Sequence, residues 1–358
     1  VKTVLLVIES MEPGNLHRGL YNGFLQNSFV ENKVLNIIPL ICPRDVKFGY
    51  SIYDELIFHT IKKFQIDLLF SIGGEQISID TLKELQKQGI KTATWQIDDP
   101  FMLTENYGVE NKKKLPFYNS IYTTNKESII NHYPELGLAK TVKFLPFGYD
   151  PIFHKNLNLE KEYNISFVGS KFPVRHKKYM SKFFHKVDMW GNSAYNRISH
   201  YEMVKVLNKS KINLNFADQP ANGVLCLKNR VTEVLGCEQF LLTEFFPELE
   251  EMFIPGKELD YFSTVEEMND KNDFYLKNDD AREKIAIAGA KKIKKYQYKN
   301  LANQILQDNL CLDGQIIVQG VNFDTNINIC KKPIVNNNVN KNITLKILMI
   351  STLFNLPK

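Results

Sequence analysis

The feature that most constrains this chain is a strand–helix alternation that runs through its first half and then starts again. Short apolar runs at Thr3–Glu9, Val34–Leu40, Ile66–Ile72, Lys91–Ile97, Ser120–Thr124 and Thr141–Pro146 are separated by amphipathic stretches around Gly19–Phe29, Tyr53–Phe64, Asp80–Gln88 and Lys126–His132. Such alternation predicts a parallel sheet with helices on both faces. A second series begins at Tyr163. Strands are predicted at Tyr163–Val168, Val187–Trp190, Ile212–Phe216 and Phe240–Thr243. Helical patterns follow Ser170 to about Lys186, then cover about Tyr201–Lys209, Lys228–Gly236, Phe246–Phe253, Val265–Lys277 and Asp280–Lys295. Between the two series, LPFGYDPIFHK has the Gly, Asp and Pro of a connecting loop, so a hinge is expected near Gly148–Lys155. The chain therefore divides into an α/β domain over residues 1–148 and a second over 149–310.

Beyond Leu310 the pattern stops. Residues 311–342 turn polar and rich in Asn and Lys, as a linker does. Residues 343–358 contain LKILMISTLF, which has the form of an opening Rossmann strand with nothing after it. They are expected to begin a further, truncated domain; the alternative is a C-terminal strand or tail of the second unit.

Composition excludes several classes. With 358 residues, 44% hydrophobic and 24% charged, the chain can bury a sizeable core. A net charge of +5 suits an anionic small ligand and is too weak for a nucleic-acid partner. The five cysteines (Cys42, Cys226, Cys237, Cys311 and Cys330) form no CxxC pair, which argues against a zinc site or disulfide framework and for a reducing compartment. The opening VKTVLLVIES is too short an apolar run for a signal peptide, and no stretch approaches the length of a membrane helix. A cytoplasmic location is expected. GxSxG, Walker and first-strand GxGxxG motifs are absent, so hydrolase, kinase and simple dehydrogenase chemistry lack their carriers.

Open parallel sheets bind ligands at the carboxyl ends of their strands, and the informative residues gather there. In FVGSKFPVR a strand ends at Gly169 and Ser170 and a helix starts soon after. Gly169 permits close backbone approach, a helix start offers N–H groups to phosphate, and Arg175 can add charge. A plain strand–turn–helix connection with Arg175 in solvent is the alternative. In NGVLCLKNRVTEVLGCEQFLLTE, Lys228, Asn229 and Arg230 open a helix, and Glu233 lies three residues after Arg230 on a shared face. Cations at a helix start suit a pyrophosphate, and the carboxylate suits ribose hydroxyls. A surface i,i+3 ion pair would have the same spacing.

In WQIDDP, Asp98 and Asp99 end a first-half strand, where one can bind the acceptor or act as general base, or cap the turn before Pro100. Their adjacent spacing is not the D-x-D of metal-using transferases, and no metal is expected. In SMEPGNLHRG, Gly14, His17 and Arg18 follow the first strand at the cleft mouth; His17 can serve as a base or simply be solvated. Gly73 and Gly74 end another strand in a tight turn.

The run KNRVTEVLGCEQFLLTE, followed by PELEEMFIPGKEL, YFSTVEEM and AREKIAIAGAKKI, resembles the C-terminal domain of CgeB-like (spore maturation protein type) glycosyltransferases, which are related to the group-1 enzymes. FVGS, MWGN, SKINLNF, WQIDDP and LPFGYDPIF match in the same order, over roughly Lys91–Lys295. The resemblance implies the GT-B fold: two facing Rossmann-like domains with an interdomain cleft. It also implies that Glu233 meets the ribose, that Arg230 and Lys228 lie near the diphosphate, and that Gly169 and Ser170 form the phosphate loop. One position departs: group-1 relatives have a glutamate eight residues before the ribose one, and here that residue is Leu225.

The expected activity is hexosyl transfer from a UDP- or GDP-sugar to an unidentified glycan, lipid or protein, without a metal or cofactor. Two alternatives stay open: a GT-B-like binding module for an adjacent, covalently linked glycosyltransferase domain, suggested by Leu225, and a sugar-nucleotide epimerase of the same architecture.

Overall fold

The computed structural model describes residues 2–27, 29–30, 33–42, 49–103, 106–169, 178–179, 186–191, 196–218 and 224–310. Ser170, Arg175 and the tail 311–358 lie outside them. The strands are β1 (Lys2–Ile8), β2 (Phe29–Val30), β3 (Lys33–Ile41), β4 (Leu68–Ile72), β5 (Lys91–Gln96), β6 (Ser120–Thr123), β7 (Val142–Phe144), β8 (Tyr163–Val168), β9 (Asp188–Trp190), β10 (Ser210–Asn215), β11 (Leu241–Glu244) and β12 (Asp260–Phe262). The helices are α1 (Leu16–Gln26), α2 (Gly49–Lys63), α3 (Ile79–Lys87), α4 (Asn106–Lys114), α5 (Lys126–Asn131), α6 (His200–Lys209), α7 (Asn229–Gly236), α8 (Leu249–Met252), α9 (Val265–Lys277), α10 (Asp279–Ile293) and α11 (Tyr298–Leu310).

Two sheets result, in the orders β2-β3-β1-β4-β5-β6-β7 and β12-β11-β10-β8-β9. Every pairing is parallel except β2 with β3. Alternation along β1 shows why. Val4, Leu6 and Ile8 enter one apolar cluster while Leu5 and Val7 enter another on the opposite face. A strand apolar on both faces is stable only when helices cover both. In the second half Val168 and Leu241 face one cluster, and Phe167 and Leu242 the other. The first of these clusters is continuous through both halves, from Val4 to Leu235 and Tyr298.

The chain passes between the halves twice. After β7 it runs through Leu145–Lys155, and after α10 it returns through Lys294–Gln297 into α11. The two passages are hydrogen-bonded to each other: Tyr149 N–H donates to the Tyr296 carbonyl at 3.2 Å, and Tyr298 N–H to the Tyr149 carbonyl at 3.1 Å. The returning α11 packs on α1 of the first half. Lys91 donates to the Asn309 carbonyl (2.7 Å), Tyr122 donates to Asp308 (2.9 Å), and Lys143 pairs with Asp308 (2.6 Å). Residues 148 and 149 lie on the first passage, and α11 packs with the first half. Its apolar stripe is matched there by a glycine face on α1.

A further bridge joins the halves where α5 begins. Glu248, buried just before α8, accepts the Lys126 N–H at 3.0 Å, and the Lys126 ammonium pairs with Glu251. Short elements were missed from sequence: β2, β12 and α4 are brief or strongly polar, and α11 lay past the last recognised pattern.

The α1–α11 contact depends on Gly23, because a Cβ there would stand 2.4 Å from the Tyr298 carbonyl oxygen, a backbone atom that cannot rotate away. Gly23→Ala is therefore expected to destabilise the fold by about 1–3 kcal/mol. A thermal unfolding scan that leaves Tm unchanged would contradict this packing.

Candidate active site

The second half builds a cationic corner at the carboxyl end of β8. That strand ends at Gly169, whose N–H donates to the Trp190 carbonyl (3.0 Å) at the end of β9. A Cβ on Gly169 would lie 2.6 Å from the Phe167 ring. Helix α7 begins after Lys228, which is extended (φ −113°, ψ 147°) and makes no side-chain cap. The first turn of α7 holds no acid. Its positive dipole end is thus joined by Lys228 and Arg230 rather than neutralised, the arrangement that attracts phosphate. Arg230 Nε donates to the Val168 carbonyl (3.2 Å), which fixes the guanidinium beside Gly169. Thr232 donates to the Gly148 carbonyl (2.8 Å) and anchors α7 to the first passage.

Glu233 is only 3% exposed. Oε1 accepts from Asn229 Nδ2 at 2.7 Å and Oε2 from Arg230 Nη1 at 2.5 Å. The i,i+3 spacing therefore makes an ion pair, but a buried one. A ribose reaching Glu233 has to share or replace these partners. His154, from the first passage, brings Nε2 to 3.9 Å from Glu233 Oε1. Burial holds its imidazole pKa below the usual value; Glu233 and Asp150 pull it up, and Arg230 pushes it down. Leu225, eight residues before Glu233, is partly buried against the core, and its backbone bridges to Asp218, a buried acid beyond the carboxyl end of β10.

The first half presents the loop after β1. Gly14 adopts φ +83°, and a Cβ on it would meet the Phe153 ring at 2.2 Å and His200 Cβ at 2.7 Å. This loop is therefore pressed against the second half, where any added side chain would force the halves apart. His17 is 4% exposed, not solvated. Its Nδ1 accepts the Glu9 N–H (3.3 Å), and Nε2 faces the Glu9 carboxylate at 3.8 Å. Gln76, from the loop after β4, donates to Glu9 Oε1 at 3.1 Å. Glu9 thus sits at the end of β1 with His17 and Gln76 holding it, a grouping hidden from sequence because its members come from the end of β1, the first turn of α1 and the loop after β4. Arg18 donates to the Met11 carbonyl (3.1 Å) and steadies the same loop.

Of the Asp pair, Asp98 is exposed and Asp99 is 2% exposed. Asp99 accepts from Thr123 (2.6 Å), Ser128 (3.0 Å) and the Phe101 N–H (3.0 Å). Its geometry is that of the turn cap. Burial raises its pKa, with those hydrogen bonds opposing. The Gly73–Gly74 turn is likewise tied down, by Gln96 donating to the Gly73 carbonyl (2.7 Å) and Lys114 to the Glu75 carbonyl (2.9 Å). Burial lowers the Lys114 pKa to about 8. Among the described residues no three His, Cys, Asp or Glu side chains gather as a metal site would need, and no helix is long and apolar enough to cross a membrane.

Residues 152–307, the segment that contains Gly169 and all of α7, match the model of a family described as glycosyl transferase-like. A sucrose-phosphate synthase from Thermosynechococcus elongatus superposes with a TM-score of 0.59 at 10% identity, covering 87% of this chain and 99% of that one. Anabaena HepE in complex with UDP gives 0.58 at 9%, covering 87% and 100%. The fold is GT-B. A protein assigned as a UDP-N-acetylglucosamine 2-epimerase from Listeria monocytogenes shares it, with a TM-score of 0.59 at 11% identity over 90% and 100% of the two chains. No curated protein sequence matches the chain. In this GT-B molecule the cationic corner belongs to the half that the family model covers, and the Glu9 group to the other.

Asp99→Ala leaves two hydroxyls and an N–H buried without their acceptor. It is expected to cost about 1–3 kcal/mol of stability while nucleotide affinity stays within twofold of the parent. Denaturant unfolding and calorimetry on the same sample check both; a strong affinity loss with unchanged stability would return Asp99 to the ligand site.

Proposed function

We propose that this chain is a glycosyltransferase that moves a hexose from a UDP- or GDP-sugar to a hydroxyl of a glycan, lipid or protein. The observation that supports it is the open start of α7, with Lys228, Arg230 and the β8 end at Gly169 meeting inside the segment matched by the glycosyl transferase-like family. When the bond to phosphate breaks, charge grows on the departing diphosphate. Fixed donors already aimed at it stabilise that charge without reorganising. Lys228, Asn229, Arg230 and the α7 dipole supply them in a mechanism that uses no metal. Ser170 and Arg175, by sequence position, would extend the same phosphate site. Glu233 would accept ribose hydroxyls after giving up part of its present pairing.

Across the cleft the acceptor hydroxyl would approach the end of β1. There Glu9, steadied by His17 and Gln76, and the exposed Asp98 are the proton-accepting groups, with Gly14 keeping the loop close. His17 acts through Glu9, since its Nε2 is turned toward that carboxylate. Closure around the sugar would exclude water. The ordered CgeB-like motifs support the same activity, in a cytoplasmic setting.

The test is calorimetry and turnover with a panel of UDP- and GDP-sugars. Lys228→Ala removes a cation that caps nothing, so the fold should persist while turnover falls about 10²-fold. Full turnover in that variant, or no nucleotide bound by the parent, would sink the assignment. The likeness to the Listeria protein favours one alternative, sugar epimerisation. Product analysis without acceptor separates the two: an epimerase converts the nucleotide sugar alone, and a transferase does not.

A further inference from the structure

Glu233 is a buried carboxylate whose one contacting cation among the described residues, Arg230, is also the cation the proposed donor needs. Phosphate oxygens compete well for a guanidinium. When a diphosphate draws Arg230 away, Glu233 loses the neighbour that offsets its charge, and a buried charge left uncompensated is costly. The structure holds one group ready beside it. His154 is 2% exposed, and its Nε2 makes no hydrogen bond among the described residues, standing 3.9 Å from Glu233 Oε1. Its Nδ1 accepts the Asp150 N–H at 3.4 Å, so Nε2 is the nitrogen that carries hydrogen toward Glu233.

We infer that His154 is a positioning residue: when a nucleotide sugar engages Arg230 it takes up a proton at Nδ1, giving up the long bond from the Asp150 N–H, and the imidazolium, with its Nε2–H toward Glu233, then holds that carboxylate in place. This rests on the donor assignment above. The charged groups around the ring are Glu233 and Arg230 from α7 and Asp150 from its own passage. The Tyr298 hydroxyl, on the second passage, lies in the field of Glu233 and Asp150 and stays neutral, burial raising its pKa. Asp150 is held by Asn22 of α1 (2.9 Å) and by the Ile152 N–H (2.9 Å). With Arg230 engaged by phosphate, its downward push on the imidazole weakens while both acids still pull upward. The free-state pKa is depressed and the bound-state pKa is higher. Between the two values, binding takes up a proton, and affinity strengthens as pH falls. The imidazole also lies on the first passage, so occupation of the donor corner changes the charge at the join between the halves.

UDP-glucose is the suitable probe, because its diphosphate diester has no group of its own titrating near neutrality. Calorimetry in buffers of different ionisation enthalpy should show proton uptake on binding, and affinity should rise as pH is lowered. His154→Gln and, separately, Glu233→Gln should each bind without uptake and with a flat affinity–pH profile. Binding by the parent without uptake, or uptake that persists in both variants, overturns the role of His154 and leaves the donor assignment standing. No binding of UDP-glucose by the parent overturns this inference together with that assignment.

Discussion

The pairing of the two passages at Tyr149 is the constraint on which the rest depends. Two backbone hydrogen bonds to Tyr296 and Tyr298 turn what would be a single flexible tether into a short two-stranded join. Because that join is made of backbone, it does not depend on side-chain identity. It fixes where α7 stands relative to the first half, through Thr232 and the Gly148 carbonyl, and it fixes where α11 begins. The cationic corner at Gly169 and the carboxylate group at Glu9 belong to different sheets. They can serve one reaction only if the connection between those sheets is defined.

Electrostatics adds a second layer to the same region. Around the join lie Asp150, His154, Arg230, Glu233 and Tyr298, which couple to one another through a low-dielectric interior. Such a cluster is expensive unless its members satisfy each other. Arg230 and Asn229 satisfy Glu233. The groups proposed to meet a nucleotide are therefore the same set whose mutual pairing stabilises the second half.

Much of this was legible in the sequence. The central strands were, since a parallel sheet requires apolar residues on both faces, and β8 and α9 were placed to the residue. The α7 corner was also visible, because its cations and Glu233 lie within six residues of one another. What the sequence could not convey was burial. Asp98 and Asp99 are neighbours of one type, yet one is exposed and the other is enclosed by Thr123 of the next strand and Ser128 of the helix after it. His17 looked like a loop histidine, but it opens α1 and is covered by Glu9. The helical spacing of Tyr298, Leu301, Ala302, Ile305 and Leu306 is readable. That this stripe belongs against Gly19 and Gly23, far back in the chain, is a tertiary fact with no local signal.

The return of α11 to the first half has a consequence for how the molecule is made. A nascent chain leaving the ribosome can lay down the first sheet early, but α1 then carries a bare glycine groove whose filling has yet to be synthesised. The whole second half must emerge before that groove is closed, a wait of roughly ten to thirty seconds at ordinary translation speeds. The first half would be most open to proteases and chaperones during that interval, and a gene cut at the hinge would leave it permanently in that unfinished state.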